Sequence, residues 1–179
     1  MGSPALAPAV AGSGVDFERL FEDELDYVWK ALRRLGVREA DLDDQVNEVF
    51  LRVHQRLADY DPCRPIRPWL FAFAARVAAE QRRLSRNARE IPGLPLEARD
   101  ESPDAEENAA TNETRAHVLA ALDELDREKR EVFVAIELAG HSGPEVAGAL
   151  GISVNTVYSR LRLARAEFTV ALRRSRRTP

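Results

Sequence analysis

The sequence predicts an all-α protein made of two small helical domains, which are joined by an acidic, flexible linker. Two observations indicate this organisation. Apolar residues recur at three- and four-residue steps through most of the chain, as they do on the buried face of a helix, and no alternating strand pattern is present. Between residues 91 and 111 this period stops, and prolines, a glycine and acidic side chains replace it.

The N-terminal domain is predicted to span residues 16–90 and to contain three helices. The first begins near Asp16 and ends at Gly36, a residue type that suits a helix C-terminus. The second and third are predicted over about 38–58 and 68–86, and three prolines interrupt the pattern between them. Short connections favour a compact bundle. The apolar face of the first helix is predicted to contain Phe17, Leu20, Phe21, Leu25, Val28, Leu32 and Leu35.

The C-terminal domain is predicted over residues 112–175. Its helices are expected at about 112–125, 127–138, 144–150 and 154–174. The N-terminal residues 1–15 are small, rich in proline and almost uncharged, and we interpret them as a disordered tail.

Charge is separated along the chain. The net charge is −4, which is unusual for a protein that binds DNA alone. Arginines nevertheless concentrate near residues 82–89 and 160–177, on either side of the acidic linker. This distribution predicts two surfaces that face nucleic acid, separated by an acidic connector.

Several function classes are disfavoured by the composition. A single cysteine, Cys63, allows neither a disulfide nor a cysteine metal site, and fits a cytoplasmic protein. No apolar run approaches the ~20 residues that a membrane span needs. Neither a phosphate-binding loop nor a hydrolase motif is present, and the three histidines are dispersed. We therefore expect no enzyme activity, cofactor, metal, membrane association or small-molecule substrate, although a redox role for Cys63 stays open.

Residues 142–165 carry the pattern of a helix-turn-helix. Pro144 suits the first turn of a helix, Gly151 its C-terminus, and Ser153 the N-cap of the next helix. That next helix has one apolar stripe and an opposite polar face suited to bases and phosphates. A solvated, arginine-bearing helix is the alternative interpretation. The stripe is Val157, Leu161, Ala164 and Phe168, and the candidate DNA-binding residues are Asn155, Thr156, Tyr158, Ser159, Arg160, Arg162 and Arg165.

Three segments resemble extracytoplasmic-function (ECF) sigma factors of RNA polymerase, in the order that this family has them. Residues 122–165, which include "ALGISVNTVYSRLRLAR", resemble region 4, the reader of the −35 promoter element. Residues 41–53, "DLDDQVNEVFLRV", resemble region 2.2, and residues 67–83, "RPWLFAFAARVAAEQRR", resemble regions 2.3 and 2.4. The resemblance implies promoter-specific transcription initiation without catalysis.

The resemblance also implies partners and site residues. The second helix would bind the clamp of the polymerase β′ subunit through Asp43, Asp44, Asn47, Glu48 and Arg52, although a solvated charged face is the alternative. The third helix and the loop before it would melt the −10 element, although Trp69 and Phe73 could equally belong to the core. The residues implied at the −10 element are Arg64, Arg67, Trp69, Phe71, Arg76, Arg82 and Arg83.

Further partners implied by the family are the β flap of polymerase, promoter DNA and an anti-sigma factor. Departures from the usual family pattern occur at Gln45, Arg76, Glu80 and Tyr158, and at the pair Gly143 and Pro144. Two alternatives therefore stay open. One is an autonomous helix-turn-helix regulator, and the other is a degenerate sigma-like adaptor that binds polymerase or an anti-sigma factor without starting transcription.

Overall fold

The computed structural model describes residues 15–89 and 109–177, and within these ranges its elements are all helices joined by short connections, without strands. The all-α prediction is confirmed. The predicted tail, except residue 15, and the predicted linker up to residue 108 lie outside the described residues. The helices are α1 (Phe17–Leu35), α2 (Leu42–Arg56), α3 (Ile66–Arg89), α4 (Ala109–Asp123), α5 (Arg127–Phe133), α6 (Gly143–Leu150) and α7 (Val154–Ser175).

Helix α1 begins and ends where the sequence predicts. The Asp16 carboxylate accepts a hydrogen bond from the backbone N–H of Glu18, and Gly36 ends the helix at φ 95°. The predicted apolar face is wrong at Leu25, which is 38% exposed, whereas Glu24 is only 9% exposed. Glu24 is buried because its Oε2 lies 2.9 Å from Nε of Arg67, which approaches from the start of α3.

Helix α3 begins two residues earlier than the sequence predicts, at Ile66 instead of Pro68. A proline in the first turn costs no hydrogen bond, since the first N–H groups of a helix have no intrahelical acceptor. Helices α1, α2 and α3 pack against one another around a shared apolar core. That core contains Val28, Leu32, Val49, Phe50, Leu70 and Val77.

In the C-terminal half, α4, α5 and α6 each pack on α7. Helix α4 begins at Ala109, three residues before the predicted start. The Ser142 and Glu145 side chains form a reciprocal capping box at α6, and Gly151 ends α6 at φ 67°. The Ser153 hydroxyl accepts from the N–H of Thr156 and caps α7. The predicted helix-turn-helix is therefore present, with its caps confirmed.

Helix α5 continues without interruption into a π-helical turn, Val134–Leu138. The wider turn is closed by the N–H of Ala139, which donates to the carbonyl of Val134. Such turns are rare within helices and leave neighbouring carbonyls open to other donors. Here the turn carries the chain toward α1 of the N-terminal half.

The two halves pack on each other through α1 and α3 on one side and α4, α6 and the π turn on the other. Tyr27 on α1 places its hydroxyl 2.7 Å from Nε2 of His141, just before α6. Nη1 of Arg34 donates to the carbonyl of Leu138 at 3.1 Å. In the opposite direction, Nε of Arg130 donates to the carbonyl of Arg34 at 2.6 Å.

A groove of about 820 Å³ follows the boundary between the two halves. Its lining combines apolar side chains with charged ones, most of which are basic. One wall belongs to α1 and the other to α4, and the end of the π turn closes it. The lining residues are Asp26, Trp29, Lys30, Arg33 and Arg34 from α1, Thr114, Arg115, Val118 and Leu119 from α4, and Leu138.

The buried His141 makes stability depend on pH. Burial lowers the pKa of His141, the Glu145 carboxylate opposes this shift, and Arg67 adds to it. In the unfolded chain a histidine has a pKa of about 6.5 and takes up a proton below that pH, whereas the buried His141 takes it up less readily. The folded state is therefore fully stabilised above about pH 6.5 and loses stability as the pH falls below this value. We expect the free energy of unfolding to fall by about 1 kcal/mol between pH 7 and pH 5.5.

Urea titrations of the wild-type protein and His141→Gln at both pH values measure this loss. The variant should lose most of the pH dependence, whereas the same substitution at the exposed His54 should leave it in place. Equal pH dependence in all three proteins would contradict the assignment to His141.

Candidate nucleic-acid interface

The second helix of the helix-turn-helix, α7, presents a polar stripe along one side of its N-terminal half. Asn155, Tyr158, Ser159 and Arg162 are all exposed, and the adjacent pair Tyr158 and Ser159 lies three or four residues from each of the other two, on one side of the helix. Val157, Leu161 and Ala164 lie on the other side of the helix and are buried. The stripe therefore combines an amide, a hydroxyl, a phenol and a guanidinium, which can contact base edges and phosphates together.

Three other predicted residues of α7 lie beside this stripe and are engaged within the domain. The Thr156 hydroxyl is 2.8 Å from that of Ser153, at the cap. Nη2 of Arg160 pairs with Glu128 at 2.5 Å. Arg165 pairs with Glu137 at 2.6 Å. These ion pairs are partly exposed and worth little each, so both arginines can be released to phosphates.

Tyr158 packs directly over Gly143, the first residue of α6. A Cβ atom at Gly143 would lie 2.6 Å from the Tyr158 hydroxyl oxygen and 2.7 Å from Cζ of the ring, which is too close for a methyl group. Both positions are among the departures inferred from the sequence resemblance, and the structure places them in contact. Glycine at 143 thus provides the space in which the Tyr158 ring lies.

The residues predicted at the −10 element separate into two faces of α3. Trp69, Arg76 and Arg83 are spaced by seven and share the outer side, where Arg76 and Arg83 are exposed. The Trp69 ring packs between those of Tyr60 and Phe73, at centroid distances of 5.1 and 4.8 Å. The guanidinium of Arg76 lies 5.9 Å from the Phe73 ring centroid.

Phe71 and Arg82 lie on the inner side of α3, toward the C-terminal half. Phe71 is 0% exposed and its ring centroid is 6.0 Å from that of His141. Phe71 therefore cannot stack on a base in this arrangement, and its placement on an open strand-binding surface is corrected. Arg82 lines a small cavity with Arg130 and Glu131 of α5.

Two exposed arginines lie around the start of α3, Arg64 just before the helix and Arg67 in its first turn. Arg64 lies 3.4 Å from Asp61, and the Tyr60 hydroxyl donates to the Arg64 carbonyl. Arg67 stacks over the Tyr27 ring at 5.3 Å while it pairs with Glu24. Cys63, which directly precedes Arg64 in the sequence, is exposed. The local turn is thus fixed by hydrogen bonds as well as by its prolines.

Helix α2 presents an acidic face to solvent. Asp43, Asp44 and Asn47 are exposed, as the sequence predicts for a protein-binding surface. Glu48 instead pairs with Arg52, which also forms a bidentate pair with Glu80 of α3 at 3.0 and 2.7 Å. These hydrogen bonds raise the pKa of the Arg52 guanidinium, and those to Glu80 have the largest effect. Arg52 therefore links α2 to α3 through its ion pair with Glu80.

Sequence reasoning missed Leu51, which is 59% exposed and lies one turn after Asn47 on the same side of α2. Leu51 follows Phe50 directly and so falls outside the buried phase of α2. A large apolar residue outside the buried positions of an amphipathic helix is the sequence signal that would have identified Leu51. Val154, which is exposed at the start of α7, was missed for the same reason.

Other kinds of site find no support in the described ranges. No group of three or more His, Cys, Asp or Glu side chains that could hold a metal ion occurs among residues 15–89 and 109–177. None of the helices described is both long and apolar enough to cross a membrane.

Comparison with known proteins identifies the same two segments. The profile of Sigma-70 region 2 matches residues 20–90, and that of Sigma-70, region 4 matches residues 115–168. RNA polymerase sigma factor CnrH of Cupriavidus metallidurans is 34% identical over 93% of this chain and 91% of its own length. ECF RNA polymerase sigma factor SigM of Mycobacterium tuberculosis is 30% identical over 90% of this chain and 79% of its own.

The fold is also similar to a solved structure, that of CnrH in complex with the cytosolic domain of CnrY. The TM-score is 0.62, the sequence identity is 31%, and the match covers 87% of this chain and 86% of CnrH.

Proposed function

The chain belongs to the ECF family of RNA polymerase sigma factors, and from this premise we propose how its two domains divide promoter recognition. Residues 16–90 bind core polymerase and engage the −10 element, and residues 112–175 read the −35 element. The polar stripe of α7, exposed on the second helix of a helix-turn-helix, is the observation that carries the proposal.

The stripe supports direct reading of the −35 element in a major groove. A guanidinium can bond the O6 and N7 atoms of guanine, an asparagine amide can bond adenine, and an apolar group can contact a thymine methyl. Arg162, Asn155 and the exposed Val154 offer these three chemistries on one helix. Arg160 and Arg165, once released from their carboxylates, add phosphate contacts.

The Tyr158 ring is expected to depend on Gly143 for its position against DNA. Gly143→Ala should displace the ring, because the new methyl group would overlap the phenol. We expect a few-fold loss of −35-dependent initiation, measured by run-off transcription, with a change of less than about 1 kcal/mol in unfolding free energy.

Gly148→Ala is the matched control, since a Cβ atom there meets nothing within 4 Å in the same helix. Gly148→Ala should leave initiation unchanged. Equal effects of the two substitutions would contradict the role of the Gly143 and Tyr158 contact.

The acidic face of α2 supports binding to the clamp of the polymerase β′ subunit. Asp43, Asp44 and Asn47 offer acceptors and donors to a basic partner helix, and Leu51 adds an apolar centre to this polar surface. Glu48 and Arg52 are proposed to shape the face through their mutual pair. The β flap is the proposed polymerase contact of the C-terminal domain.

Leu51→Ala is expected to weaken binding to core polymerase by about 3- to 10-fold, because an apolar contact is lost at the centre of the interface. Fluorescence titration of labelled protein with core polymerase measures it. Leu25→Ala removes a similarly exposed leucine from α1 and serves as the control. Unchanged affinity for Leu51→Ala would remove Leu51 from the interface.

The outer face of α3 and the segment before it support engagement of the −10 element. Arg64, Arg67, Arg76 and Arg83 supply positive charge along the path of a separated strand. Trp69 supplies a partly exposed ring. Arg82 lies on the inner face and is proposed to contribute after the domains separate.

An anti-sigma factor is the proposed regulator of this chain. The relative CnrH has been solved in complex with the cytosolic domain of another protein, CnrY. We propose that this chain is likewise held by a protein partner, in the cytoplasm where polymerase works. Affinity purification from the native host measures this, and the absence of any such partner under all growth conditions would contradict it.

Run-off transcription with purified core polymerase on genomic fragments tests the proposed function. With this protein present, new discrete start sites should appear that share two spaced upstream motifs. Binding to core polymerase without new start sites would favour the degenerate adaptor. Absence of both, with steeply salt-dependent binding to free duplex, would favour the autonomous regulator.

A further inference from the structure

We propose that the groove between α1 and α4 binds a nucleoside diphosphate or triphosphate, with the phosphates at the end closed by the π turn and the base against the apolar side chains. The size of the groove, the distribution of its cations and its aromatic lining support this assignment. None of the lining residues belongs to the surfaces proposed for DNA or for the polymerase clamp, so the inference does not depend on the proposed function.

The dimensions of the groove fit a small molecule. Its volume of about 820 Å³ lies in the range of about 300–1,000 Å³ that is usual for small-molecule sites. Along α1 the lining runs from Asp26 to Arg34, a distance of about 12 Å at the helical rise of about 1.5 Å per residue. Because Leu138 closes one end, a long partner helix would not fit lengthwise in the groove.

Positive charge dominates the lining. Of its ten described residues four are basic and only Asp26 is acidic. A ligand that carries two or more negative charges therefore complements the groove, as a nucleoside diphosphate or triphosphate does. The basic residues are Lys30, Arg33 and Arg34 from α1 and Arg115 from α4.

Two of the arginines approach the closed end from opposite walls. The pKa of the partly buried Arg34 guanidinium is lowered, first because burial disfavours its charge and second because Arg115 repels it. Nη1 of Arg34 donates to the Leu138 carbonyl, and its other N–H groups have no acceptor within residues 15–89 and 109–177. An anion between Arg34 and Arg115 would offset their repulsion and accept these hydrogen bonds. The oxygens of a phosphate match the planar fork of a guanidinium.

The remaining lining suits a base. Val118 and Leu119 of α4 offer apolar contacts, and the ring of Trp29 on α1 is partly exposed. The Arg33 guanidinium lies 5.3 Å from the centroid of the Trp29 ring. Aromatic rings and guanidinium groups stack on any base, because every base has a π face. The groove therefore specifies phosphates and a ring, and leaves the identity of the base open.

Isothermal titration calorimetry on the full chain tests the proposal, with adenosine diphosphate as the probe in magnesium-free buffer. Adenosine and pyrophosphate are titrated separately, since each occupies only one part of the groove. We expect saturable binding of adenosine diphosphate that is at least ~10-fold tighter than that of adenosine or pyrophosphate.

Two substitutions separate the two parts of the groove. Arg115→Gln should weaken binding of adenosine diphosphate by about 10-fold, because a charge-assisted contact to phosphate is lost. Trp29→Leu should weaken binding of adenosine diphosphate and leave that of pyrophosphate unchanged. The matched control is Arg19→Gln, which replaces an arginine of α1 outside the groove, paired with Asp23 at 3.8 Å. Circular dichroism confirms that each variant is folded.

Loss of affinity in Arg115→Gln alongside unchanged binding in Arg19→Gln supports the site. Absence of binding at about 1 mM adenosine diphosphate would overturn the proposal, and so would equal affinity in Arg115→Gln and wild-type protein. Pyrophosphate bound as tightly as adenosine diphosphate would reduce the groove to a site for anions and remove the base. A synthetic acidic helical peptide that binds more tightly than adenosine diphosphate, and is released by Arg115→Gln, would assign the groove to a protein partner instead.

Discussion

Replacement of Arg130 by alanine is expected to lower the free energy of unfolding by about 2–4 kcal/mol, the largest stability effect that the structure indicates. Three losses combine. The Arg34 carbonyl loses its donor at a buried helix end, Asp123 loses its partner, and the removed side chain leaves a cavity beside the small one already lined by this arginine. Urea denaturation followed by circular dichroism measures the change.

Arg127→Ala provides the matched comparison for this prediction. Arg127 lies three residues earlier in α5, its side chain is 55% exposed, and it pairs with Glu131 at 3.6 Å. Arg127 itself is half exposed and has no other ion pair or hydrogen bond among the described residues, although Glu131 is only 14% exposed, so this variant should change the unfolding free energy by no more than about 1 kcal/mol. A similarly small loss for Arg130→Ala would mean that the buried guanidinium does not hold the two domains.

Replacement of Arg162 by alanine is expected to reduce −35-dependent initiation by about 10- to 100-fold, the largest functional effect among single substitutions in α7. A bidentate contact between arginine and guanine contributes about 1–3 kcal/mol of discrimination. Arg162 is the only arginine of the exposed stripe as defined above, lies at its C-terminal end, and has no role in the core of the domain. Run-off transcription on promoters with intact and altered −35 elements measures the loss.

The control for this prediction is Arg173→Ala, an exposed arginine three turns further along the same helix. It should retain initiation, and both variants should retain affinity for core polymerase. If Arg162→Ala reduces initiation equally on promoters with and without a −35 element, the residue does not read that element.

Most helices could be predicted from the sequence because the interactions that begin and end a helix join residues that are close together in the chain. Asp16 and Ser153 accept hydrogen bonds from N–H groups two and three residues away, and Gly36 and Gly151 adopt positive φ at helix ends. Each of these features involves neighbours in the chain. The start of α3 was misplaced because Pro68 is acceptable in a first turn as well as before a helix.

The burial of charged residues could not be predicted in this way, because it depends on partners far along the chain. Glu24 is buried by Arg67, 43 residues away, and Arg130 by the backbone of Arg34, 96 residues away. The sequence likewise offers no pattern that predicts the π-helical turn after α5. These features belong to the packing of domains.

One sequence signal for the interface was available in α3. From Leu70 to Ala75 six consecutive residues are apolar, and all six are buried. An apolar run of this length surrounds the helix, whereas a helix that packs on one side only would alternate apolar and polar residues. Residue type alone, arginine or an aromatic ring, does not distinguish the two faces of this helix. Phe71 and Arg82 were therefore grouped with Trp69 and Arg76, although they lie on a different face.

The groove between α1 and α4 has a thermodynamic consequence. Its walls belong to different domains, so a molecule that contacts both walls at once binds only while the two domains are packed together. Such a molecule, at free concentration L, would stabilise the packed arrangement of the two domains by RT ln(1 + L/Kd), so its binding would be measurable as a rise in the free energy needed to part α1 from α4.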